Sequence, residues 1–505
     1  MVRSRLVWRT NERPMLRVLG LLSKIDQPLE IKFDAVRNRS RNVHCVHTRA
    51  TRDGACTGSV LTTAWRSETW FGQGWMEHLA QIDGSANFSN SATILTRPRK
   101  PQHRLTNKTQ STPHRGVFMQ HHNTVVLGAS GLVGQRMQQR LANHPWFRLA
   151  AVVGSERTAG KTLKSIDWNL QEARPNLPNL TVLSAGDEHL VERLREVNIT
   201  VAFSCLPASI ADPLELKLAS SGIAVFSNAS AFRRCDGVPL VIPDVNPTHL
   251  EQFDAANYTL ACATNCTLIP LAVPVAALSQ EFGITHVTMN SEQALSGAGY
   301  ELALSQTALA GEHPSEIEGE AEKTAAELLH VLGEAVEGRR TGGGQQAVQR
   351  IHPAFNESKK HVNAASFEVD VNCKRVTRID GHQIFATVRL KHEATEDKVL
   401  ACFQKWSLPP SLQTCPSAPK QSMHLVEKID EHAHLWSDGV LFSSQPDPSE
   451  DLKAGMAVVV GSVVMINPTT VEFSAYSHNT VRGAAGGTML LAEQAYTERR
   501  LPKQQ

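Results

Sequence analysis

From Asn123 onward the chain alternates short apolar blocks with stretches of helical period. "TVVLG" (124–128) has the length and β-branched content of a buried strand. "LVGQRMQQRLANH" (132–144) has a helical pattern, and "RLAAVVG" (148–154) is a second apolar block. "TVAFSCL" (200–206), "DPLELKLASSG" (212–222) and "AVFSN" (224–228) repeat the rhythm. Strand–helix–strand alternation predicts a parallel sheet covered by helices on both faces.

The texture changes after Cys266. "TLIPLAVPVAALSQEFG" (267–283) reads as a helix, with Pro270 in its first turn and Pro274 at a kink. "HVTMNSEQA" (286–294) is a strand, and "SEIEGEAEKTAAELLHVLG" (315–333) is an amphipathic helix ending at Gly333. "AASFEVDV" (364–371) and "HQIFATVRL" (382–390) alternate like strands of a half-exposed sheet. "MAVVVGSVVM" (456–465) and "TVEFSAYSH" (470–478) follow, and "GAAGGTMLLAEQAYTERR" (483–500) is a closing helix. Residues 1–120 show no sustained period, and "TRPRKPQHRLTNKTQSTPHRG" (96–116) reads as a disordered linker, with Met119 a natural start of the fold.

Composition sharpens this division. At 505 residues the chain has room for two or three domains and a large core. Its net charge of +2 is uneven: residues 1–120 hold 19 of the 51 Lys and Arg but only 8 of the 49 Asp and Glu. The basic excess therefore sits on an N-terminal extension, and the remainder is mildly acidic. Nine scattered cysteines form no C-x-x-C pair. That argues against a disulfide framework or a zinc site and for a reducing, cytoplasmic setting. No apolar run reaches the roughly 18–20 residues of a membrane helix, and no signal peptide opens the chain.

Candidate chemistry begins at "VVLGASGLVGQRM" (125–137). Gly128, Gly131 and Gly134, spaced G-x-x-G-x-x-G between a strand and a helix, are a variant of the dinucleotide fingerprint. Gly128 suits a tight turn, Gly131 a close approach of pyrophosphate, and Gly134 close helix–strand packing. Ser130, Leu132 and Val133 complete the loop, whose helix N-terminus supplies N–H donors. At the end of the second strand, "GSERTAGK" (154–161) offers Ser155, Arg157 and Lys161 to a 2′-phosphate. This favours NADP over NAD, with Glu156 an awkward neighbour. In "ATNCT" (263–267), Cys266 follows Asn265 at the start of a helix, where the dipole lowers a thiol pKa. Such a thiol beside a nicotinamide suggests thioester chemistry. Cys262, in an apolar strand, reads as packing.

"GASGLVGQRM", "SNASAFR", "VIPDVN", "ATNCT", "QALSGAGY", "RVTRIDGH" and "NTVRGAAG" occur in the order found in aspartate-semialdehyde dehydrogenases. From about 123 to 500 the chain resembles that family, most closely its archaeal and fungal branch. The resemblance implies that Cys266 attacks L-aspartyl 4-phosphate, that phosphate leaves a thioester, and that reduction by NADPH releases L-aspartate 4-semialdehyde. It implies catalytic roles for His382, as acid/base, and Gln293, which orients the acyl group. Arg375 matches the substrate-carboxylate arginine and Arg233 the phosphate arginine, with Arg234 as its rival in register. Glu320 matches the residue that takes the substrate ammonium, and Lys323 one that takes phosphate. Ser296, Gly297 and Asn479 match positions near the nicotinamide.

The expected architecture is thus α/β. A Rossmann-type dinucleotide-binding domain spans 121–265, and an α+β mixed-sheet catalytic and dimerisation domain spans 266–477. Residues 478–505 return to the first domain, and a basic, disordered extension covers 1–120. The resemblance implies a homodimer or homotetramer in Lys, Thr and Met biosynthesis, with no nucleic-acid or membrane partner. Three departures stand out: Thr377-Arg378 replaces Pro-Val of the family loop, Asp244 replaces Glu, and Gly461-Ser462 replaces Gly-Arg. They bear on substrate specificity more than on the chemistry. Competing readings are an acyl-CoA reductase of the malonyl-CoA reductase type, N-acetylglutamyl phosphate reductase, and a non-catalytic nucleotide- or RNA-binding homologue. Retention of Cys266, Gln293, Arg375 and His382 together argues against the last.

Overall fold

A computed structural model describes residues 121–503 apart from 255–257, 338–349, 351 and 356–359, together with three strands between residues 31 and 64. Those strands, β1 (Ile31–Arg37), β2 (His44–Ala50) and β3 (Ser59–Ala64), form an antiparallel sheet where the sequence shows no regular period. The linker expected at 96–116 and Met119 lie outside the described residues.

The alternation after Asn123 folds as predicted. Strand β4 (His122–Leu127) leads into α1 (Leu132–Leu141), and β5 (Phe147–Gly154) into β6 (Val182–Ser184). Helix α2 (Leu190–Glu196), β7 (Ile199–Ser204), α3 (Ala208–Ser220), β8 (Ala224–Ser227) and β9 (Leu260–Cys262) follow. The six strands are all parallel in the order β6-β5-β4-β7-β8-β9. This is the doubly wound order, whose reversal between β4 and β7 opens a ligand crevice at the strand carboxyl ends.

Helix α4 (Leu268–Phe282) is apolar on all sides and buried over most of its length, as a central helix must be. Pro274 lies within it without ending it. It packs against a second, mixed sheet built from β10 (Ile284–Gln293), β13 (Glu368–Arg375), β14 (His382–Leu390), β15 (Met423–Leu425), β16 (Val458–Asn467) and β17 (Thr470–Ser477). Its order is β13-β10-β14-β17-β16-β15. Helix α5 (Glu320–Val331) packs on β13 and α4, and a short hairpin pairs β11 (Glu334–Glu337) with β12 (Lys360–Asn363). The predicted helix start at Ser315 is too early. Gly319 holds a left-handed conformation (φ +67°), so the helix begins at Glu320. Helix α6 (Glu396–Lys405) covers α4 from the other side.

The chain's last helix, α7 (Gly486–Thr497), is preceded by a π-helical turn, Val481–Ala485. Its Met489, Leu490 and Ala492 share a core with Val126, Phe203 and Phe226 of the parallel sheet. The outer face of the mixed sheet is different in character. Phe385, Val464 and Ile466 share that face by register and are 44%, 48% and 55% exposed.

Candidate active site

Four strands of the mixed sheet end at one place. The parallel pairing of β10 and β13 puts Gln293 beside Arg375 at their carboxyl ends. His382 opens the antiparallel β14 and pairs with Ser477 at the end of β17, two residues before Asn479. Cys266 comes to the same place from the parallel sheet, in the connection from β9 to α4. The Asn265 side-chain oxygen accepts the Leu268 N–H at 2.8 Å, an N-cap contact three residues on. Cys266 therefore sits in the turn that leads into α4, two residues ahead of Leu268 and close to the first-turn position that the sequence suggests.

The sulfur of Cys266 lies 3.2 Å from His382 Nε2, although 116 residues separate them. On the far side of the ring, the Ala294 N–H donates to Nδ1 at 3.0 Å. In a neutral imidazole this contact leaves the proton on Nε2, the atom facing sulfur. Glycines close in around the pair. A Cβ on Gly297 would come within 2.9 Å of Arg375 Nη1 and 3.1 Å of His382 Cε1. A Cβ on Gly483, in the π-helical turn, would fall 2.7 Å from that of Cys266.

The electrostatics overturn one expectation. Burial pushes the Cys266 thiol up to about 12, reinforced by the Glu320 carboxylate and opposed by Arg233 and Arg375. Burial, with Arg375 and Arg378 nearby, holds His382 down at about 3. The sequence suggested a thiol whose pKa is lowered by the helix dipole. In this site both groups are neutral near pH 7, because enclosure by segments distant in sequence outweighs the local dipole. Iodoacetamide should thus label Cys266 slowly at neutral pH, the rate climbing without a plateau below about pH 10. A plateau already reached near neutrality would show that the thiolate is preformed. Cys266 is still partly accessible and Cys262 fully buried, so labelling selects Cys266 of the two.

Of the candidate substrate groups, Arg375 donates to the Ala294 carbonyl at 2.9 Å, beside His382. Arg233 donates from Nε to the Ala263 carbonyl at 2.9 Å and from Nη2 to the Asn228 carbonyl at 2.6 Å. Both arginines stabilise the thiolate form of Cys266. Arg234 instead holds a left-handed backbone (φ +54°) and lines an open cleft of about 780 Å³. Glu320 is half-buried, its carboxyl pushed up by burial and by Glu327 while Arg233 and Lys323 oppose the shift. Lys323 is exposed and lines the same cleft as Arg234, with Phe367 and Asp370. Gln293 is buried, its amide reaching Ser291 Oγ at 3.4 Å.

The dinucleotide loop has the shape its glycines require. Gly128 has φ +79°, and a Cβ there would strike the Cys205 carbonyl at 2.6 Å. A Cβ on Gly134 would strike the Gly128 carbonyl at 2.1 Å. Gly131 is otherwise: the nearest atom to a Cβ there is the Gly128 carbonyl at 3.4 Å, which leaves room for a ligand. Gly131 precedes α1, which has no side-chain cap and no acidic residue in its first turn. Ser130, Leu132 and Val133 sit beside it, and an uncapped N-terminus suits pyrophosphate. The residues present therefore fit a dinucleotide. Ser155 and Arg157 are exposed directly after β5, whereas the Glu156 carboxylate accepts the Ser184 hydroxyl on β6. Asn479 is buried between two site segments, accepting the Gly381 N–H at 2.7 Å and donating to Ser296 Oγ at 2.8 Å.

Sequence reasoning missed the Ala294 N–H and the Arg136 network. Arg136, fully buried on α1, contacts Glu172, Thr480 and Asp380, the last two residues before His382. No local pattern marks a backbone N–H. Arg136, however, lies inside the quoted fingerprint as a cation on a buried helix face.

A parallel dinucleotide-type sheet whose connection after β9 sets a thiol against the imidazole and arginine of a mixed sheet has the architecture of a dehydrogenase of the semialdehyde class. The family model for the semialdehyde dehydrogenase NAD-binding domain matches residues 123–253, and that for the semialdehyde dehydrogenase dimerisation domain matches residues 275–482. An aspartate-semialdehyde dehydrogenase from Archaeoglobus fulgidus is 32% identical over 376 residues, covering 73% of this chain and 96% of the relative. The crystal structure of aspartate semialdehyde dehydrogenase with NADP from Candida albicans has 28% identity and a TM-score of 0.58, covering 75% of this chain and 99% of that one. A malonyl CoA reductase (NADP) from Metallosphaera sedula is 28% identical over 374 residues, covering 73% of this chain and 95% of the relative. The chain belongs to the aspartate-semialdehyde dehydrogenase family. Among the described residues no helix is long and apolar enough to cross a membrane.

Proposed function

We propose that the protein converts L-aspartyl 4-phosphate to L-aspartate 4-semialdehyde through a thioester on Cys266, with NADP as coenzyme. The observation that carries this reading is the 3.2 Å contact between Cys266 Sγ and His382 Nε2 with Arg233 and Arg375 both acting on the sulfur. Arg375 binds the substrate carboxylate, for which a planar guanidinium is well shaped. Arg233, supported by Lys323, takes the phosphate, and Glu320 the ammonium. Gln293 orients the acyl group. Sulfur then bonds to the acyl carbon and the carbon–oxygen bond to phosphate breaks; the thiol proton leaves with the departing phosphate, while the Nε2–H of His382 donates to the sulfur as it loses that proton. The nicotinamide coenzyme, when bound, supplies the electron pair that takes the thioester to the aldehyde level. The Nε2–H of His382 holds the sulfur by a hydrogen bond as the aldehyde departs, and the released thiolate takes its proton back from solvent.

The fingerprint Gly128, Gly131 and Gly134, with Ser130, Leu132 and Val133, holds the pyrophosphate; Ser296, Gly297 and Asn479 border the nicotinamide. We assign 121–265 and 478–505 to coenzyme binding and 266–477 to catalysis and dimerisation. A homodimer or homotetramer, through the exposed apolar strands around Phe385 and Ile466, follows from the same reading. Reverse assay decides the substrate. NADPH should form from L-aspartate 4-semialdehyde, inorganic phosphate and NADP. Turnover with CoA in place of phosphate, and none with phosphate, would instead establish the acyl-CoA reductase reading. Arg157→Ala should raise the NADP KM about tenfold while changing the NAD KM little, as expected for a lost charge-assisted contact to a phosphate. Equal losses with both coenzymes would remove Arg157 from 2′-phosphate recognition.

A further inference from the structure

We infer that Glu327 is a positioning residue that sets the nucleophile and the phosphate-binding arginine with one carboxylate, a role that rests on the thioester reading above. Helix α5 carries Glu320, Thr324 and Glu327 at i, i+4 and i+7, a single helix face, and that face is turned to the site. Thr324 is fully buried and Glu327 is 2% exposed. A carboxylate so enclosed is costly unless each oxygen has a partner.

Each oxygen of Glu327 has a separate one. Oε2 accepts the backbone N–H of Asn265 at 2.7 Å, immediately before Cys266. Oε1 lies 3.6 Å from Arg233 Nη1. Two connections of the parallel sheet, one following β8 and one following β9, are thereby tied to a helix of the mixed-sheet half. The tie closes on itself, because Arg233 Nε donates to the Ala263 carbonyl two residues before Asn265. The Asn265 side chain adds a link back to α5, donating to Thr324 Oγ1 at 3.2 Å while its oxygen caps the Leu268 N–H. Thr324, Asn265, Arg233 and Glu327 thus surround the turn that presents the sulfur. The charge of Glu327 and its hydrogen-bonding oxygen serve different partners, so they can be removed one at a time.

Glu327→Gln keeps an oxygen for the Asn265 N–H but places an amide where an anion faced Arg233. In the reverse assay the phosphate KM should rise about tenfold with kcat within about threefold of the parent, the size of effect expected when a charged hydrogen-bonding partner is lost. Glu327→Ala removes both contacts, so kcat should fall at least about tenfold as well, the effect of a buried N–H left unpaired beside the nucleophile. A merely structural role would lower the fraction of competent sites, counted by Cys266 labelling stoichiometry, and leave the KM alone. A phosphate KM within twofold of the parent in Glu327→Gln, at equal site count, overturns the inference. Inorganic phosphate protection of Cys266 against iodoacetamide reads the same contact without turnover, and about tenfold more phosphate should be needed in Glu327→Gln. If the parent neither turns over the semialdehyde nor is protected by phosphate, the functional reading has failed on its own. Glu327 is then judged by the loop alone: identical labelling rates of Cys266 in Glu327→Ala and the parent overturn it.

Discussion

Cys266→Ala should abolish phosphate-dependent oxidation of L-aspartate 4-semialdehyde, whereas Cys262→Ala should retain it. Both residues belong to the same short stretch, and both thiols are raised by burial. Of the two, only Cys266 faces an imidazole, at 3.2 Å, and it has two arginines favouring its anion, Arg233 and Arg375, where Cys262 has Arg233 alone. Cys262 lies in β9 with no accessible surface, and its loss removes core contacts alone. A second thiol of the site region, Cys373, is buried beside Ser291, Gln293 and Thr324 and is raised by burial, so alanine at 266 leaves no thiol facing His382. Residual phosphate-dependent turnover in Cys266→Ala, after contamination by parent enzyme is ruled out by mass, would make the thiol a packing residue and end the assignment.

His382→Asn should lower kcat by roughly 10²–10⁴, the usual range for a removed acid/base group, with a smaller change in KM. Asparagine is shorter than histidine, so it cannot place an N–H where Nε2 faces the sulfur. The binding arginines do not depend on the ring. Arg375 is anchored on the Ala294 carbonyl and Arg233 on the Ala263 and Asn228 carbonyls, which keeps substrate affinity largely intact. Equal losses in kcat and affinity would mean that the ring props the arginines instead of acting on the sulfur.

Much of the fold is legible because strand and helix periods are local. The β4–α1–β5 unit could be read residue by residue, down to the glycines that shape its turn. Strand β6 is three residues long, too short for any period to emerge. Helix α6 hides less well: Val399, Cys402 and Phe403 are buried at helical spacing. Strand order in the mixed sheet is another matter. That β13 lies parallel beside β10, bringing Arg375 to Gln293, depends on pairing between segments some 80 residues apart, which no window of sequence contains.

The site shows the same divide. Cys266 was recognisable from its capping asparagine and the helix that follows, and the motif order supplied His382 and Arg375. The charge states were not recognisable. A helix dipole can be read from a short stretch, but desolvation of the sulfur comes from residues such as Gly483, more than two hundred positions later. Glu327 carried a readable signal, since it lies on the helix face that Glu320 and Thr324 define, yet a lone glutamate in an amphipathic helix usually faces water.

The position of Gly483 against Cys266 has a consequence for synthesis. A chain emerging from the ribosome has made its nucleophile, its imidazole and both arginines well before it makes the wall against which the nucleophile rests. The same late segment supplies the helix that covers one side of the parallel sheet. A nascent protein stalled near residue 477 therefore holds Cys266, His382, Arg233 and Arg375 and still lacks Gly483, the residue that closes against Cys266.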